Sequence, residues 1–170
     1  MNIFSSFFKK KHKKINITKI FAPITGNIID IEKVPDIVFS DKIVGDGIAI
    51  DPKENLIVSP VDGFIGKIFE TNHAFSIKTE NNIELFVHFG IDTVNLKGKG
   101  FKRKFNFIKN NLNIVKKGEI IIELDLDFLK KNTKSILTPV VISNIEKITK
   151  FKKYVGRVIA GIDPILKIYN

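Results

Sequence analysis

Two histidines, His73 and His88, are the residues of this sequence with the clearest capacity for chemistry. They stand fifteen residues apart, whereas the third histidine, His12, lies in a lysine run near the amino terminus. An imidazole serves as a nucleophile, as a general acid or base, or as a metal ligand. The pair therefore indicates a catalytic or metal-binding site, against the plainer interpretation of two half-buried histidines satisfied by structural hydrogen bonds.

The segment between the two histidines is typical of one β-hairpin. Residues 73–78 and 83–89 are rich in aromatic and β-branched side chains, and Thr79-Glu80-Asn81-Asn82 between them is turn material. Folding the chain about the middle of this turn pairs His73 with His88. Because directly opposite side chains on antiparallel strands share a face, the two imidazoles should lie side by side.

The same register assigns the other side chains of the hairpin to two faces. Phe75 and Phe86 are paired, and they join the histidines on the outward face. The face toward the core is predicted to carry Ala74, Leu85, Val87 and Phe89. Histidines ringed by phenylalanines on the outward face indicate a reactive centre inside an apolar docking patch.

Each histidine has a candidate partner that would fix its tautomer. Nucleophilic use of an imidazole requires one free ring nitrogen and one that is held as a hydrogen-bond donor. The carbonyl of Gly90, in the turn after the strand, is the acceptor that we expect for His88. His73 would be a second donor, able to stabilise an anion placed on His88. The Thr71 hydroxyl is expected to orient His73 or to contact that anion, unless Thr71 is an ordinary strand residue.

The surroundings of the pair argue against two other kinds of site. Glu84 is the one acid on the predicted hairpin face, four positions before His88, so a Ser-His-Asp triad is hard to assemble. Two histidines supply half of a tetrahedral zinc site, so a partner protein or an acid from elsewhere in the chain would have to complete it.

Composition bounds the class of protein. With 170 residues, 44% of them hydrophobic, and fifteen phenylalanines, the chain is long enough for one domain with a substantial core. It has no cysteine, and no apolar run approaches the length of about 18 residues that a membrane-spanning helix needs. The amino terminus lacks the pattern of a secretory signal, and we expect a soluble cytoplasmic protein.

The net charge of +10 is concentrated in two segments. Residues 1–19 hold six lysines and no acid, and residues 97–117 hold eight basic residues and no acid. The remainder is slightly acidic, so no nucleic-acid partner is predicted. Residues 1–17 are predicted to form a flexible basic and apolar tail, with weak contact to anionic lipid as an alternative to a purely solvated tail. The second segment is predicted to contain a surface loop.

Residues 18–170 are predicted to be a single all-β domain. Short apolar runs are broken by Gly, Pro, Asp and Asn about every ten residues, the spacing of an antiparallel β-sandwich or barrel. The helical candidates are short, at 127–132 and 143–149. An internal repeat supports related β-units: residues 22–28 (APITGNI) and 59–65 (SPVDGFI) share one pattern 37 residues apart.

Five motifs in order along the chain give residues 18–168 a specific resemblance. They are 35–39 (PDIVF), 42–50 (KIVGDGIAI), 66–75 (GKIFETNHAF), 84–93 (ELFVHFGIDT) and 137–144 (LTPVVISN). On these motifs the chain resembles the glucose-type enzyme IIA of the bacterial phosphoenolpyruvate-dependent sugar phosphotransferase system. The resemblance implies an antiparallel β-sandwich that acts as a phosphorelay component.

The resemblance also implies roles for individual residues. The phosphocarrier HPr would hand a phosphoryl group to Nε2 of His88, which passes it to the IIB domain of a glucose-type sugar permease with the help of His73. Asp36 and Asp92 match acidic positions suited to pairing with HPr arginines. Apolar docking contacts are expected from Ile37, Val38, Phe39, Ile43, Val44, Phe69, Phe86 and Val94.

Zinc and regulatory partners are further implications of the resemblance. No cofactor is expected to be obligatory, but His73 and His88 are expected to bind zinc when a partner contributes another ligand. Regulatory binding of other proteins according to phosphorylation state is also implied. Two alternatives remain: a zinc hydrolase, which requires a third ligand near the pair, and a pure binding module, which carries no covalent phosphate.

Overall fold

Antiparallel β-strands make up most of the regular structure in this computed structural model, which describes residues 16–107 and 113–169. The strands are β1 (Ile17–Phe21), β2 (Gly26–Asp30), β3 (Asp46–Pro52), β4 (Leu56–Val58), β5 (Gly63–Ile68), β6 (Ala74–Lys78), β7 (Glu84–His88), β8 (Phe101–Arg103), β9 (Ile114–Val115), β10 (Ile120–Leu124), β11 (Thr138–Ile142), β12 (Lys150–Lys153), β13 (Arg157–Val158) and β14 (Pro164–Tyr169). The predicted all-β fold class is confirmed. Residues 1–15 of the predicted tail lie outside the described residues.

Two short α-helices accompany the strands in the described part of the chain: α1 (Ile37–Ser40) and α2 (Leu126–Asn132). Helix α2 confirms the candidate at 127–132, and the candidate at 143–149 holds a single 3-10 turn, Ile145–Lys147. Helix α1 was not predicted. Its first turn is closed by Asp36, whose carboxylate accepts a hydrogen bond from the backbone N–H of Val38 at 2.8 Å.

The strands form one large sheet and two small ones. The eight-stranded sheet has the order β13-β2-β3-β11-β7-β6-β5-β9, and the three-stranded sheets have the orders β1-β14-β12 and β4-β10-β8. One apolar core joins them, with contributions such as Val87 from β7, Ile122 from β10 and Ile168 from β14. Burial of these alternating side chains against each other makes the molecule a β-sandwich.

The internal repeat corresponds to two β-units that bond to each other. Phe21 donates its backbone N–H to the carbonyl of Pro60 at 2.9 Å, and Val58 donates to Pro23 at 2.8 Å. Phe21 and Val58 occupy equivalent positions of the repeat, as do Pro23 and Pro60, so the two hydrogen bonds are equivalent. The glycine that begins each unit's strand then pairs with an edge strand, β13 beside β2 and β9 beside β5. The two copies of the repeat therefore begin strands β2 and β5 in equivalent ways.

The β6–β7 hairpin is present, but its register differs by one residue from the predicted register. Ala74, not His73, is the partner of His88. The loop runs over residues 79–83 because Thr79 and Ile83 close it: the Thr79 N–H donates to the Ile83 carbonyl at 2.9 Å, and the Thr79 hydroxyl accepts from the Ile83 N–H at 3.1 Å. An odd number of loop residues replaces the symmetrical four-residue turn.

The change of register moves two side chains of β6 to the other face. Phe75 lies fully buried in the main core, so its predicted place beside the histidines is wrong. Ala74, predicted to face the core, shares the face of His88 instead. The predictions for β7 and its end hold, and the core contains Leu85, Val87 and Phe89.

A second apolar cluster lies on the opposite face of the large sheet. Ala49 of β3 and Val141 of β11 belong to it, and they alternate with residues of the main core along the same strands. The chain between β2 and β3 covers this face through Ile31, Val34 and Phe39. This covering segment carries α1 and forms one wall of the site.

Candidate functional site

The two imidazoles meet at the end of the β6–β7 hairpin. Their ring centroids are 4.9 Å apart and the ring planes cross at 77°. His88 ends β7, and His73 immediately precedes β6, where its carbonyl accepts the backbone N–H of Phe89 at 2.8 Å. Asn72 has a positive φ of 56°, which turns the chain just before His73. The side chain of His73 therefore escapes the strict strand alternation and reaches His88.

The carbonyl of Gly90 holds His88 in one tautomer. Nδ1 of His88 lies 2.8 Å from the Gly90 oxygen. Because a carbonyl only accepts hydrogen bonds, Nδ1 must carry the proton, which leaves a lone pair on Nε2. Gly90 has φ +71°, and a β-carbon there would lie 2.8 Å from the carbonyl oxygen of Ser135. The expected acceptor is thus present, at a position that requires glycine.

The Thr71 hydroxyl makes a short hydrogen bond with Nδ1 of His73. This hydrogen bond is the contact that the expected orienting role of Thr71 requires. His73 is only 6% exposed, so this bond satisfies a ring nitrogen that water barely reaches. Among the described residues, Nε2 of neither histidine has a hydrogen-bond partner. The two free nitrogens are the chemically available atoms of the site.

Burial keeps both imidazoles neutral near pH 7. Loss of hydration, together with the smaller effect of the neighbouring His73, lowers the pKa of His88 to about 4, although the Gly90 carbonyl and the Asp36 charge oppose the shift. Burial also lowers the pKa of His73. His88 therefore presents an unprotonated Nε2 throughout the physiological range.

Three phenylalanines enclose the pair. The Phe39 ring centroid lies 5.3 Å from that of His88, and Phe86 lies at 6.0 Å on another side. Phe69 packs edge-on against His73 at 5.3 Å. Such rings exclude water and lower the local dielectric, which strengthens electrostatic interactions at Nε2. Phe39 is only 3% exposed, so it packs beneath His88 and offers little surface for docking.

Exposed apolar residues, called the rim below, lie in the segments that carry Phe39 and Gly90, the two residues of those segments that contact His88. Ile37 is 65% exposed, Ile43 66%, Val94 51% and Val38 37%. Isolated exposed apolar residues are ordinary, but several of them in the segments next to a polar centre are consistent with a docking surface. The remaining residues proposed for docking are partly exposed, namely Asp36, Val44, Phe69 and Phe86, or exposed, namely Asp92. Their contacts with a partner stay a prediction.

Arg103 of β8 is a neighbour of the site that sequence reasoning missed. Its Nε donates to the side-chain oxygen of Asn72 at 2.8 Å, and its Nη2 donates to the carbonyl of Phe69 at 3.2 Å. These partners are 31 and 34 residues away along the chain. Because β8 belongs to another sheet, no local pattern in the sequence signals the contact.

Metal binding has limited support in the described part of the chain. No group of three or more His, Cys, Asp or Glu side chains there is placed to hold a metal ion. His73 and His88 would supply two of the four ligands of a zinc ion, so zinc binding through a partner's ligands remains a proposal. Within the same residues, no helix has the length and apolar character needed to cross a membrane.

Comparison with known proteins assigns the chain to a family. A family model described as the phosphoenolpyruvate-dependent sugar phosphotransferase system, EIIA 1, matches residues 18–148, which include both histidines, Thr71 and Gly90. The chain belongs to this family. It is therefore an EIIA component of the phosphoenolpyruvate-dependent sugar phosphotransferase system.

Curated relatives agree with the assignment to the EIIA 1 family. The glucose-specific EIIA component of Buchnera aphidicola subspecies Acyrthosiphon pisum is 59% identical over 170 residues, with 100% of both chains covered. That of Haemophilus influenzae is 52% identical over 168 residues, with 99% of both covered. The N-acetylglucosamine-specific EIICBA component of Escherichia coli is 44% identical over 155 residues, which are 91% of this chain and 23% of that protein.

A solved structure agrees with the fold. The glucose permease IIA of Mycoplasma capricolum superposes with a TM-score of 0.80 at 32% identity, over 89% of this chain and 96% of that one. Similarity of that extent covers the β-sandwich that carries the histidine pair.

Proposed function

We propose that this EIIA protein relays a phosphoryl group through Nε2 of His88, from the phosphocarrier HPr to the IIB domain of a glucose-type sugar permease. The observation that carries the proposal is the hydrogen bond between Nδ1 of His88 and the Gly90 carbonyl, 2.8 Å long. It fixes the tautomer that leaves Nε2 nucleophilic. A rigid strand end that holds this atom suits a transfer reaction, in which misplacement by about 1 Å costs orders of magnitude in rate.

Acceptance and donation are the same displacement in opposite directions at His88. The Nε2 lone pair forms a bond to phosphorus as the nitrogen–phosphorus bond of the donor breaks, and the electron pair of that bond returns to the donor's imidazole. The Nδ1 proton stays on the ring, hydrogen-bonded to the Gly90 carbonyl, so phosphorylated His88 is a cationic ring. In donation a nucleophilic atom of IIB forms a bond to phosphorus as the nitrogen–phosphorus bond of His88 breaks, and the electron pair of that bond returns to the ring, which becomes neutral again. His88 needs no proton transfer in either direction.

His73 is proposed to stabilise the phosphoryl group. If the Thr71 hydroxyl donates to Nδ1 of His73, then Nε2 of His73 carries a proton and can donate to a phosphoryl oxygen. The opposite tautomer would direct a lone pair at an anion, which is unfavourable. The negative charge of the phosphoryl oxygens on His88 would also favour the protonated form of His73. His73 would thus respond to phosphorylation of its neighbour.

The rim of the site is proposed to receive both protein partners in turn. Exposed Ile37, Ile43 and Val94 supply apolar area, and Asp36 and Asp92 supply carboxylates for arginines of HPr. One surface serves two partners because the donor must bring its phosphoryl group to Nε2 of His88 and the acceptor must later reach the same phosphoryl group there. A phosphoryl dianion at its centre would change which partner binds best. Regulatory partners sensitive to phosphorylation would use the same surface.

Two kinds of relative named in the comparisons bear on the sugar and the acceptor. The glucose-specific relatives support a glucose-type permease. The EIICBA relative, in which the matching region is 23% of one protein, supports a neighbouring B domain as the phosphoryl acceptor. A relay that starts from phosphoenolpyruvate, a metabolite of the cell interior, would operate in the cytoplasm.

A reconstituted relay tests this function. The protein is incubated with phosphoenolpyruvate, enzyme I and HPr, and the acid-labile phosphate on it is quantified for wild type, His88→Gln and His73→Gln; IIB is then added. We expect phosphate on wild type and His73→Gln but not on His88→Gln, and we expect His73→Gln to fail in donation to IIB. Phosphate on His88→Gln would refute the relay through His88, and normal donation by His73→Gln would remove His73 from the mechanism.

A further inference from the structure

The turn that carries Thr71 and His73 depends on a contact from another sheet. Within this turn, the Phe69 N–H donates to the Ala74 carbonyl at 3.0 Å, and the Asn72 N–H donates to the Phe69 carbonyl at 2.8 Å. These two bonds close the turn but leave Asn72 at a positive φ of 56°. Asparagine adopts this conformation more readily than most residues, and contacts of its side chain can stabilise it further.

Arg103 supplies that stabilisation through its forked guanidinium. Nε binds the side-chain oxygen of Asn72 at 2.8 Å, and Nη2 binds the carbonyl of Phe69 at 3.2 Å. The two acceptors lie at the two corners of the turn, and a planar fork is suited to holding both at once. Gly98, from the segment that leads into β8, also lies against the turn, where a β-carbon would be 3.8 Å from Cα of Thr71. The turn is therefore supported from β8 and from the segment before it.

The turn supplies two contacts to the imidazole of His73. Thr71 bonds Nδ1 of His73, and the Phe69 ring packs against the imidazole at 5.3 Å. Arg103 binds Phe69 and Asn72, so Phe69 is held directly and Thr71 lies between the two bound residues. Release of Arg103 would let the turn shift, and the imidazole of His73 would move with it.

We propose that Arg103 is a positioning residue for phosphoryl donation: its guanidinium locks the turn from Phe69 to Ala74 and thereby sets the place and tautomer of His73. The proposal rests on the phosphoryl relay proposed above. Arg103 acts through Thr71 and His73, and His88 keeps its own anchor on Gly90. Loss of Arg103 should therefore impair donation more than acceptance.

The first test measures His73 directly, without phosphate. Nitrogen NMR of the two imidazole rings is recorded for wild type, Arg103→Gln, Thr71→Val and Lys102→Gln. Lys102 is the matched control, because it is an exposed cation on the same strand that makes no hydrogen bond to the turn among the described residues. We expect Arg103→Gln and Thr71→Val to alter the His73 tautomer signals and Lys102→Gln to leave them as in wild type. Unaltered His73 signals in Arg103→Gln would overturn the proposal.

The second test measures the two half-reactions separately. Arg103→Gln should accept phosphate from phospho-HPr within about twofold of the wild-type rate but donate it to IIB about tenfold more slowly, since displacements of about 1 Å cost up to about a hundredfold. Lys102→Gln should match wild type in both steps. Arg103→Lys should behave like Arg103→Gln, because a single ammonium group does not reproduce the fork. Full donation by Arg103→Lys would assign the effect to charge and overturn the proposal.

A double variant separates positioning from direct contact with a partner. If Arg103 acts through Thr71 and His73, then adding Arg103→Gln to Thr71→Val, which keeps measurable donation, should slow donation by no more than about a further twofold. A further loss of about tenfold would mean that Arg103 touches IIB or the phosphoryl group itself, which would contradict the proposal. Wild-type protein that takes no phosphate from phospho-HPr would defeat the relay, whereas the NMR comparison would still decide whether Arg103 positions His73.

Discussion

Replacement of Gly90 by alanine would disturb the carbonyl that holds His88. Gly90 has φ +71°, and a β-carbon there would lie 2.7 Å from Cγ2 of Thr93 and 2.8 Å from the carbonyl oxygen of Ser135. The Ser135 oxygen is not free to retreat, because it accepts the backbone N–H of Ile91 at 2.7 Å. The turn at residue 90 must therefore shift in the variant, and the carbonyl that binds Nδ1 of His88 must shift with it.

The size of the effect follows from two contributions. A left-handed conformation costs an L-residue about 1–2 kcal/mol relative to glycine. Relief of the overlap would weaken a backbone hydrogen bond, at about 0.5–1.5 kcal/mol. Gly118→Ala isolates the first contribution, because Gly118 has φ +83° and a β-carbon there would have no neighbour within 4 Å. We expect Gly90→Ala to lose about 1 kcal/mol more unfolding free energy than Gly118→Ala.

The assay combines urea unfolding with the rate of phosphoryl acceptance from phospho-HPr. We expect Gly118→Ala to accept at the wild-type rate and Gly90→Ala to accept at least about tenfold more slowly, because His88 loses the partner that fixes its tautomer. Gly90→Ala protein that is as stable as Gly118→Ala and accepts phosphate at full rate would refute the idea that this carbonyl orients His88.

Three further outcomes are expected. The pKa of His88 falls from 6.5 to about 4 on folding, so between these pH values the unfolded chain binds more protons than the folded chain. Wild type should therefore lose about 3 kcal/mol of unfolding free energy relative to His88→Gln as the pH falls from 7 to 4. Parallel curves of stability against pH for the two proteins would contradict this. Ile37→Asp should slow both acceptance and donation by about tenfold with little change in stability, whereas Val155→Asp, at a residue 83% exposed, should slow neither; equal rates in the two variants would exclude docking at Ile37. Thr71→Val should impair donation by about tenfold and Thr71→Ser should retain it, since only the serine keeps a hydroxyl for His73; full donation by Thr71→Val would separate the hydroxyl from the mechanism.

Alternation and local turn chemistry made part of the site predictable. Residues 84–88 obey a period of two, so the inward places of Leu85 and Val87 and the outward place of His88 follow directly. The Gly90 acceptor was predicted as well, because Gly90 lies in the turn just after the strand end, within reach of the His88 ring. The family motifs indicated the EIIA family, which alternation alone does not reveal.

The register of the hairpin was not predictable from alternation. Thr79 closes an odd-length loop with its own backbone and hydroxyl, and one extra loop residue sends Phe75 into the core. The histidines nevertheless meet, because Asn72 takes a positive φ that frees His73 from the strand period. The shift of register and the positive φ of Asn72 thus together leave His73 beside His88, as expected.

Contacts between distant segments account for the rest of what was missed. Helix α1 is a single capped turn, too short for any helical period to show. The resemblance implied a docking role for Phe39; its ring packs against His88 and is 3% exposed, because the covering segment buries it in the second apolar cluster, and its contact with a partner stays a prediction. Arg103 reaches the turn at Asn72 from another sheet, and such pairings depend on topology.

Assignment of the phosphorylated nitrogen tests the central claim most directly. The protein is phosphorylated with phosphoenolpyruvate, enzyme I and HPr using nitrogen-15-labelled histidine, and phosphorus–nitrogen coupling identifies the bonded atom. We expect a single phosphohistidine, bonded through Nε2 of His88, with Nδ1 of the same ring still protonated against the Gly90 carbonyl. Phosphate on Nδ1 of His88, on His73 or on any other residue would contradict the account.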